Sequence, residues 1–363
     1  MDLHKELMKY INGIEPVNEK AREDAVKHGI GLLKIPMSLG KIEEIAFKLA
    51  SITGKVVNDM QKKCILIFSA DNGIVDAGVS QTPPEVNKII TESFSQYATG
   101  VGVFARVANA DLIVYDIGNR ATIEDPAVIK ECKIMNGTND FSKGSAMTYE
   151  QAEKAILVGI NAVKRAVDMG YTVIGNGEMG LGNTSTSCAI VCALTGADVA
   201  DAVGMGSGMY NETDLKRKIN AIRKGLEVND IDINDPIDII AKVGGLDICA
   251  IVGTYIGCAY YKVPAVIDGY ISSVAAYVAS KIDKNILDYA IASHHTDEAG
   301  YKMIESELEE PMFKMNMRLG EGSGCPFTFF AIDCANSMMK NMYTLEKGKV
   351  SKSYIEATDQ LSF

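Results

Sequence analysis

Three stretches of the chain concentrate residue types that can do chemistry. Gly175-Asn-Gly-Glu-Met-Gly-Leu-Gly-Asn-Thr184 sets one carboxylate, Glu178, in a glycine-rich run. Glycines let backbone N–H groups approach anionic oxygens, and a helix N-terminus adds a favourable dipole, so the pattern suits a phosphate. Gly175, Gly177 and Gly180 also fit the G-x-G-x-x-G spacing of dinucleotide sites. A carboxylate at Glu178 would repel a pyrophosphate, so a single phosphate on Gly180, Gly182, Asn183 and Thr184 is the better expectation. The second stretch, Arg318-Leu-Gly-Glu-Gly-Ser-Gly324, brackets Glu321 between two glycines. With little steric cover its carboxylate could meet a ligand directly and act as a general base, although an isolated Gly-Glu-Gly is more often a solvated turn. The third, Ser293-His-His-Thr-Asp-Glu298, puts His294 and His295 side by side. Neighbouring side chains diverge, so a metal site is not expected, and a cap or turn at a helix start is the expected role.

The elements that must position these residues alternate along the chain. Cys64-Ile-Leu-Ile-Phe68, Leu112-Ile-Val-Tyr115, Tyr171-Thr-Val-Ile174 and Pro264-Ala-Val-Ile267 are short apolar runs that stop at polar loops. They read as buried strands. Between them lie helical patterns: Thr148 with Gln151 makes a capping box, and Ile156, Ile160, Val163 and Val167 then recur on one face until Gly170. A turn over Pro36 to Gly40 precedes an amphipathic helix, and Ser185 to Leu194 reads as a helix leaving the glycine loop. Strands alternating with helices predict an α/β fold with a parallel sheet, whose strand C-terminal ends share one rim. Asp71, Asp116, Glu178 and Asp268 are expected on that rim, the default ligand site of such sheets.

Composition excludes other classes. The 363 residues carry 36 Lys+Arg against 47 Asp+Glu, a net charge of −11 that offers no footprint for nucleic acid. The longest uncharged apolar run, Ile248 to Tyr261, is too short to span a bilayer, and the N-terminus lacks a signal-peptide core, so a cytoplasmic protein is expected. Eight cysteines without a Cys-x-x-Cys pair speak against zinc or a disulfide scaffold.

Taken together, the motifs closely resemble the nicotinate-nucleotide dimethylbenzimidazole phosphoribosyltransferase family. The resemblance rests on KIPMSLGKIEE (34 to 44), SADNGIVDAGVS (69 to 80), GEMGLGNTSTS (177 to 187), VGGLDICAIVG (243 to 253), PAVIDGYISSVAA (264 to 276), SHHTDEAG (293 to 300) and MRLGEGSG (317 to 324). It implies a Rossmann-like large domain over 46–334, a small helical lobe from 1–45 with 335–363, a homodimer, and no metal or redox cofactor. It also implies transfer of the phosphoribosyl group of nicotinate mononucleotide to an azole base, with inversion at the ribose carbon. Carried onto this chain, the resemblance makes Glu321 the base that removes the azole proton, and Glu178, Met179 and Gly180 a wall around the reacting ring and ribose. Gly180 to Thr184 with Lys218 becomes the phosphate site, and Ser80 and Leu319 line the base pocket. Three positions depart from the family pattern: Pro84 stands where a base-facing glutamine is expected, Asp247 where Glu is common, and Asn72 where His is frequent.

Two other readings compete. A nicotinamide-dependent oxidoreductase would need an acidic residue at a strand end about 20 residues beyond the glycines, for which Asp198 and Asp201 are candidates. A subunit that completes a partner's site, as in two-chain relatives that activate phenolic bases, would not require Glu321 and Glu178 intact.

Overall fold

The computed structural model describes residues 2–204, 211–351 and 353–354. Seven strands are formed among them: β1 Lys63–Ala70, β2 Ala110–Gly118, β3 Val173–Met179, β4 Ala265–Ile267, β5 Ala290–Ala292, β6 His294–Thr296 and β7 Phe313–Met317. The first five make a single sheet in the order β2-β1-β3-β4-β5, and every pairing in it is parallel. The α/β class agrees with expectation, and each of the four apolar runs contributes to a strand, β3 with different bounds. β5 and β6, of three residues each, carry no run long enough to be recognised from periodicity, and β6 pairs with β7 in a separate parallel pair.

β1 is buried along its whole length, so alternate side chains enter opposite layers. Cys64, Leu66, Phe68 and Ala70 join the core beneath the helices Tyr149–Asp168, Leu246–Tyr261 and Tyr270–Ile282. Ile65 and Ile67 join a second core with the helices Lys41–Thr53, Gly100–Val107 and Cys325–Asn341. The predicted capping box is present at Thr148 and Gln151, and Gly40 takes φ 51° at the turn before Lys41–Thr53. The run Ile248 to Tyr261 lies in the wholly helical, almost entirely buried Leu246–Tyr261. Among the described residues no helix is long and apolar enough to cross a membrane. The cysteines are free, six of them buried.

The two ends of the chain meet. Leu33 N–H donates to the Tyr343 carbonyl at 2.7 Å, and the His28 ring contacts the Met339 carbonyl at 3.0 Å. The part of the expected C-terminal lobe at 352 and 355–363 lies outside the described residues.

β3 corrects the sequence reading. It runs through Met179 instead of stopping at Ile174, so Gly175 and Gly177 are strand residues, each with one face against the loop 320–325. A Cβ on Gly175 would lie 2.9 Å from Cys325 Sγ, and one on Gly177 would lie 2.4 Å from the Glu321 carbonyl oxygen. These two glycines are there for close packing across the sheet, and only Gly180 and Gly182 belong to the turn. The second correction is the His-His stretch, which forms β6 paired with β7 instead of starting a helix.

Candidate active site

A cavity of about 280 Å³ opens at the C-terminal rim of the sheet. All ten residues singled out from the sequence line it: Glu178, Met179, Gly180, Gly182, Asn183, Thr184, Lys218, Leu319, Glu321 and Ser80. They come from segments far apart along the chain, and the parallel topology is what gathers them.

Gly182 takes φ 88° at the N-cap of the helix Asn183–Thr195, a left-handed geometry that turns the chain from β3 into the helix. The first-turn N–H groups of that helix and its dipole favour an anion at Gly180 to Thr184. Lys218 reaches the same turn from the helix Glu212–Val228, donating to Thr184 Oγ1 at 2.9 Å and to the Gly204 carbonyl at 3.1 Å. Burial pushes its ammonium pKa down and the nearby Glu298 pushes it up. Its hydrogen bonds go to two neutral oxygens, so the ammonium is placed to meet an anionic oxygen at the same turn.

Glu321 sits in the left-handed region at φ 64°, between Gly320 at 81° and Gly322 at 90°. The expected exposed carboxylate is instead buried: Glu321 is only 8% exposed. Its Oε2 accepts from Val101 N–H at 3.2 Å, at the N-terminus of the helix Gly100–Val107. Burial raises its pKa, and the Val101 and Gly100 amides pull it back. The loop is pinned by Asp268, whose Oδ1 and Oδ2 accept from Gly324 N–H at 2.6 Å and Gly322 N–H at 3.1 Å. Of the four rim carboxylates, then, only Glu178 lines the cavity. Asp268 holds the loop, Asp71 accepts from Arg120 N–H at 2.7 Å, and Asp116 accepts from Gly118 and Asn119 N–H.

Glu178 receives Glu321 N–H on Oε1 at 3.2 Å and the Asn183 side-chain amide on Oε2. Burial, followed by the charge of Asp247, pushes its pKa up to about 8. Burial thus works against a charge on Glu178, which weakens the repulsion of a pyrophosphate expected from the sequence. The geometric reason against a dinucleotide is stronger, because two of the three fingerprint glycines are buried in β3. Asp198 also fails as a ribose ligand: it caps the short helix Val199–Ala202 and pairs with Arg223 at 2.8 Å, and Asp201 lies within that helix.

Pro84 is exposed, at the start of the helix Glu85–Phe94, and is absent from the cavity wall, where that segment contributes Val86 and Ile90. The exchange expected there therefore lies off the cavity wall. Sequence reasoning did not place Tyr270, Thr296, Glu298 and Arg318 on the lining, nor His294, which it expected only at a helix start. His294 is buried, its Nδ1 2.9 Å from Ser293 Oγ. Adjacency of Thr296 and Glu298 to the double histidine was the available signal.

A parallel sheet whose rim joins a helix start to two buried glutamates is the ligand-site arrangement of an α/β enzyme. The phosphoribosyltransferase family model matches residues 14–350. A Clostridium perfringens nicotinate-nucleotide--dimethylbenzimidazole phosphoribosyltransferase is 42% identical over 97% of this chain and 96% of its own. Its namesake from Clostridium tetani is 41% identical over 96% of each. The crystal structure of CobT from Thermus thermophilus superposes with a TM-score of 0.86 at 31% identity, over 92% of this chain and 99% of that one. The chain belongs to the nicotinate-nucleotide–dimethylbenzimidazole phosphoribosyltransferase family.

Proposed function

We propose that this chain transfers the 5-phosphoribosyl group of nicotinate mononucleotide to 5,6-dimethylbenzimidazole or a related azole, giving α-ribazole 5′-phosphate and nicotinate. The observation that carries the reading is the convergence of all ten predicted residues on one rim cavity, in a chain belonging to this family. One azole nitrogen forms the bond to the ribose carbon as the bond to the pyridinium nitrogen breaks, and that electron pair leaves on nicotinate. The proton on the other azole nitrogen passes to the Glu321 carboxylate. Because a cationic pyridinium is already a good leaving group, alignment and proton acceptance supply most of the catalysis. The Gly180–Thr184 turn and Lys218 take the phosphate, Glu178 and Met179 face ring and ribose, and Ser80 and Leu319 with Val86 and Ile90 receive the base.

A homodimer accords with the exposed apolar ridge of Val103, Phe104, Val107 and Phe330, where Val107 is 88% and Phe330 69% exposed. The contacts between the chain ends support a small lobe of 1–45 with 335–363, and residence in the cytoplasm belongs to the same reading. Sedimentation of the purified chain tests the first of these.

The decisive experiment measures nicotinate release from nicotinate mononucleotide with 5,6-dimethylbenzimidazole, for the wild type and Glu321→Gln. The amide preserves shape and removes basicity, so turnover should fall by about 10² to 10⁴, and the acidic limb of the pH profile should disappear. A Glu321→Gln enzyme with wild-type turnover and an unchanged acidic limb would remove Glu321 from the chemistry.

A further inference from the structure

Behind the cavity wall lies a second carboxyl that nothing in the reaction uses directly. Asp247, at the start of the helix Leu246–Tyr261, is fully buried and does not line the cavity. The side-chain nitrogen of Asn183 donates one hydrogen to Glu178 Oε2 and the other to Asp247 Oδ2, the latter at 3.2 Å. A single amide therefore bridges a ligand-facing carboxyl and a hidden one. Among the described residues Asp247 Oδ1 has no well-aligned hydrogen-bond partner, although the Asn72 side chain lies beside it. A Cβ on Gly245 would fall 2.2 Å from Asn72 Oδ1 and 2.4 Å from Asp247 Oδ1, so the turn into the helix is shaped to admit this group.

Resting on the reading of Glu178 as a ligand-facing group, we propose that Asp247 is its positioning residue: tied together by the Asn183 amide, the two carboxyls hold one proton as a pair, it resides on Glu178, and Glu178 meets the substrate as a neutral acid. Two carboxylates in one dry site cannot both ionise cheaply, and the pair titrates as a unit. The groups acting on Glu178 are Asp247 and Asp268, which disfavour its charge, and the Glu321 N–H and Asn183 amide, which favour it. Those acting on Asp247 are the Asn183 and Asn72 amides and the backbone N–H groups of Ile248 and Asp247, with the buried Cys249 beside it. None is a cation that would let both carboxyls ionise. A neutral Glu178 can donate a hydrogen bond to ribose or ring, and it spares a substrate carrying both a phosphate and a carboxylate from facing a third anion. Glu321, with its helix-start amides, stays the basic member, so two glutamates in one cavity are assigned opposite proton duties.

The test uses the full chain and does not need turnover. Infrared difference spectra at neutral pH should show a neutral carboxyl band that is lost in Glu178→Gln, lost or strongly reduced in Asp247→Asn, and retained in Asp247→Glu. In steady state the alkaline limb of kcat should move down by about one pH unit or more in Asp247→Asn, with KM for nicotinate mononucleotide little changed, and Asp247→Glu should restore it. A wild type without the band would overturn the proposal. So would an Asp247→Asn protein that keeps the band and the limb, since burial alone would then protonate Glu178. If Asp247→Asn fails to fold, the wild-type and Glu178→Gln spectra decide whether a shared proton exists, and the Asp247→Glu limb decides whether the hidden carboxyl sets it. Loss of the phosphoribosyl reading itself would show as no nicotinate release in the wild type and would leave the infrared result standing.

Discussion

Gly177→Ala isolates the placement of the Glu321 loop from the chemistry of its carboxylate. The new methyl group would lie 2.4 Å from the Glu321 carbonyl oxygen and 3.0 Å from its carbonyl carbon and from Ile67 Cγ1. Ordinary carbon contacts begin near about 3.5 Å, so roughly 1 Å must be found. β3 cannot supply it easily, because its pairing with β1 runs from Lys63–Val173 to Ser69–Met179. The loop must move instead, against the two hydrogen bonds to Asp268 and the contact from Glu321 N–H to Glu178. Overpacking of this kind costs about 1 to 3 kcal/mol of stability, and displacing a reacting group by about 1 Å costs about 10²-fold in rate. Denaturant titration should therefore show a folded, moderately destabilised protein whose kcat for nicotinate release is down about a hundredfold. Calorimetric affinity for nicotinate mononucleotide should stay within about threefold of wild type, since the phosphate turn is separate from this contact. A folded Gly177→Ala enzyme turning over at the wild-type rate would refute the claim that this glycine sets the position of the base.

Lys218→Ala should weaken nicotinate mononucleotide binding by about 1.5 to 3 kcal/mol, read by calorimetry; unchanged affinity would move the phosphate elsewhere. Stability should depend on pH through Glu178, whose pKa rises from 4.5 to about 8 in the fold. A raised folded pKa stabilises fully below 4.5 and loses that contribution as pH climbs through about 8. Asp247, raised from 3.8 to about 6, acts in the same direction over its lower window. Denaturation midpoints of the wild type should accordingly fall between about pH 5 and pH 8, with a flatter curve for Glu178→Gln; identical slopes would contradict the assignment. With Val79, Val86, Ile90, Met179 and Leu319 on the wall, base choice should rest on shape and apolar contact. A missing methyl group is then discriminated by about 1 to 3 kcal/mol, so benzimidazoles that differ by one methyl should compete within about two orders of magnitude of one another; strict use of one base would refute this.

Local signals made the sheet, the capping box and the glycine turn into the helix Asn183–Thr195 legible, because each is specified within a few residues of chain. Gly180 and Gly182 read correctly as a turn into a helix, since N-terminal anion sites have a short-range pattern. Gly175 and Gly177 are misread by the same logic. Glycine is a turn signal in sequence, but here it answers to a loop near residue 320 whose approach no local pattern records. The exposure expected for Glu321 fails for a similar reason: flanking glycines remove local cover, and cover is supplied by Val101, 220 residues earlier. β6 is three residues long and exists through its pairing with β7, so no periodicity could announce it.

These failures share a cause that bears on how the site works. Glu321 is held in a left-handed conformation that costs a non-glycine residue about 1 to 2 kcal/mol, between two glycines that also have positive φ. Such strain persists only where surrounding contacts over-determine it. Here they do: Asp268 fixes two amides beyond Glu321, Glu178 takes its own amide, and the start of the helix Gly100–Val107 takes its carboxylate. A glycine at 321 would satisfy the backbone better, so the backbone is not the reason for a glutamate there. The remaining reason is the carboxylate itself, aimed at the cavity by contacts from distant segments. Local sequence rules fail at 175, 177 and 321 because contacts from distant segments, and not their own neighbours, set those positions.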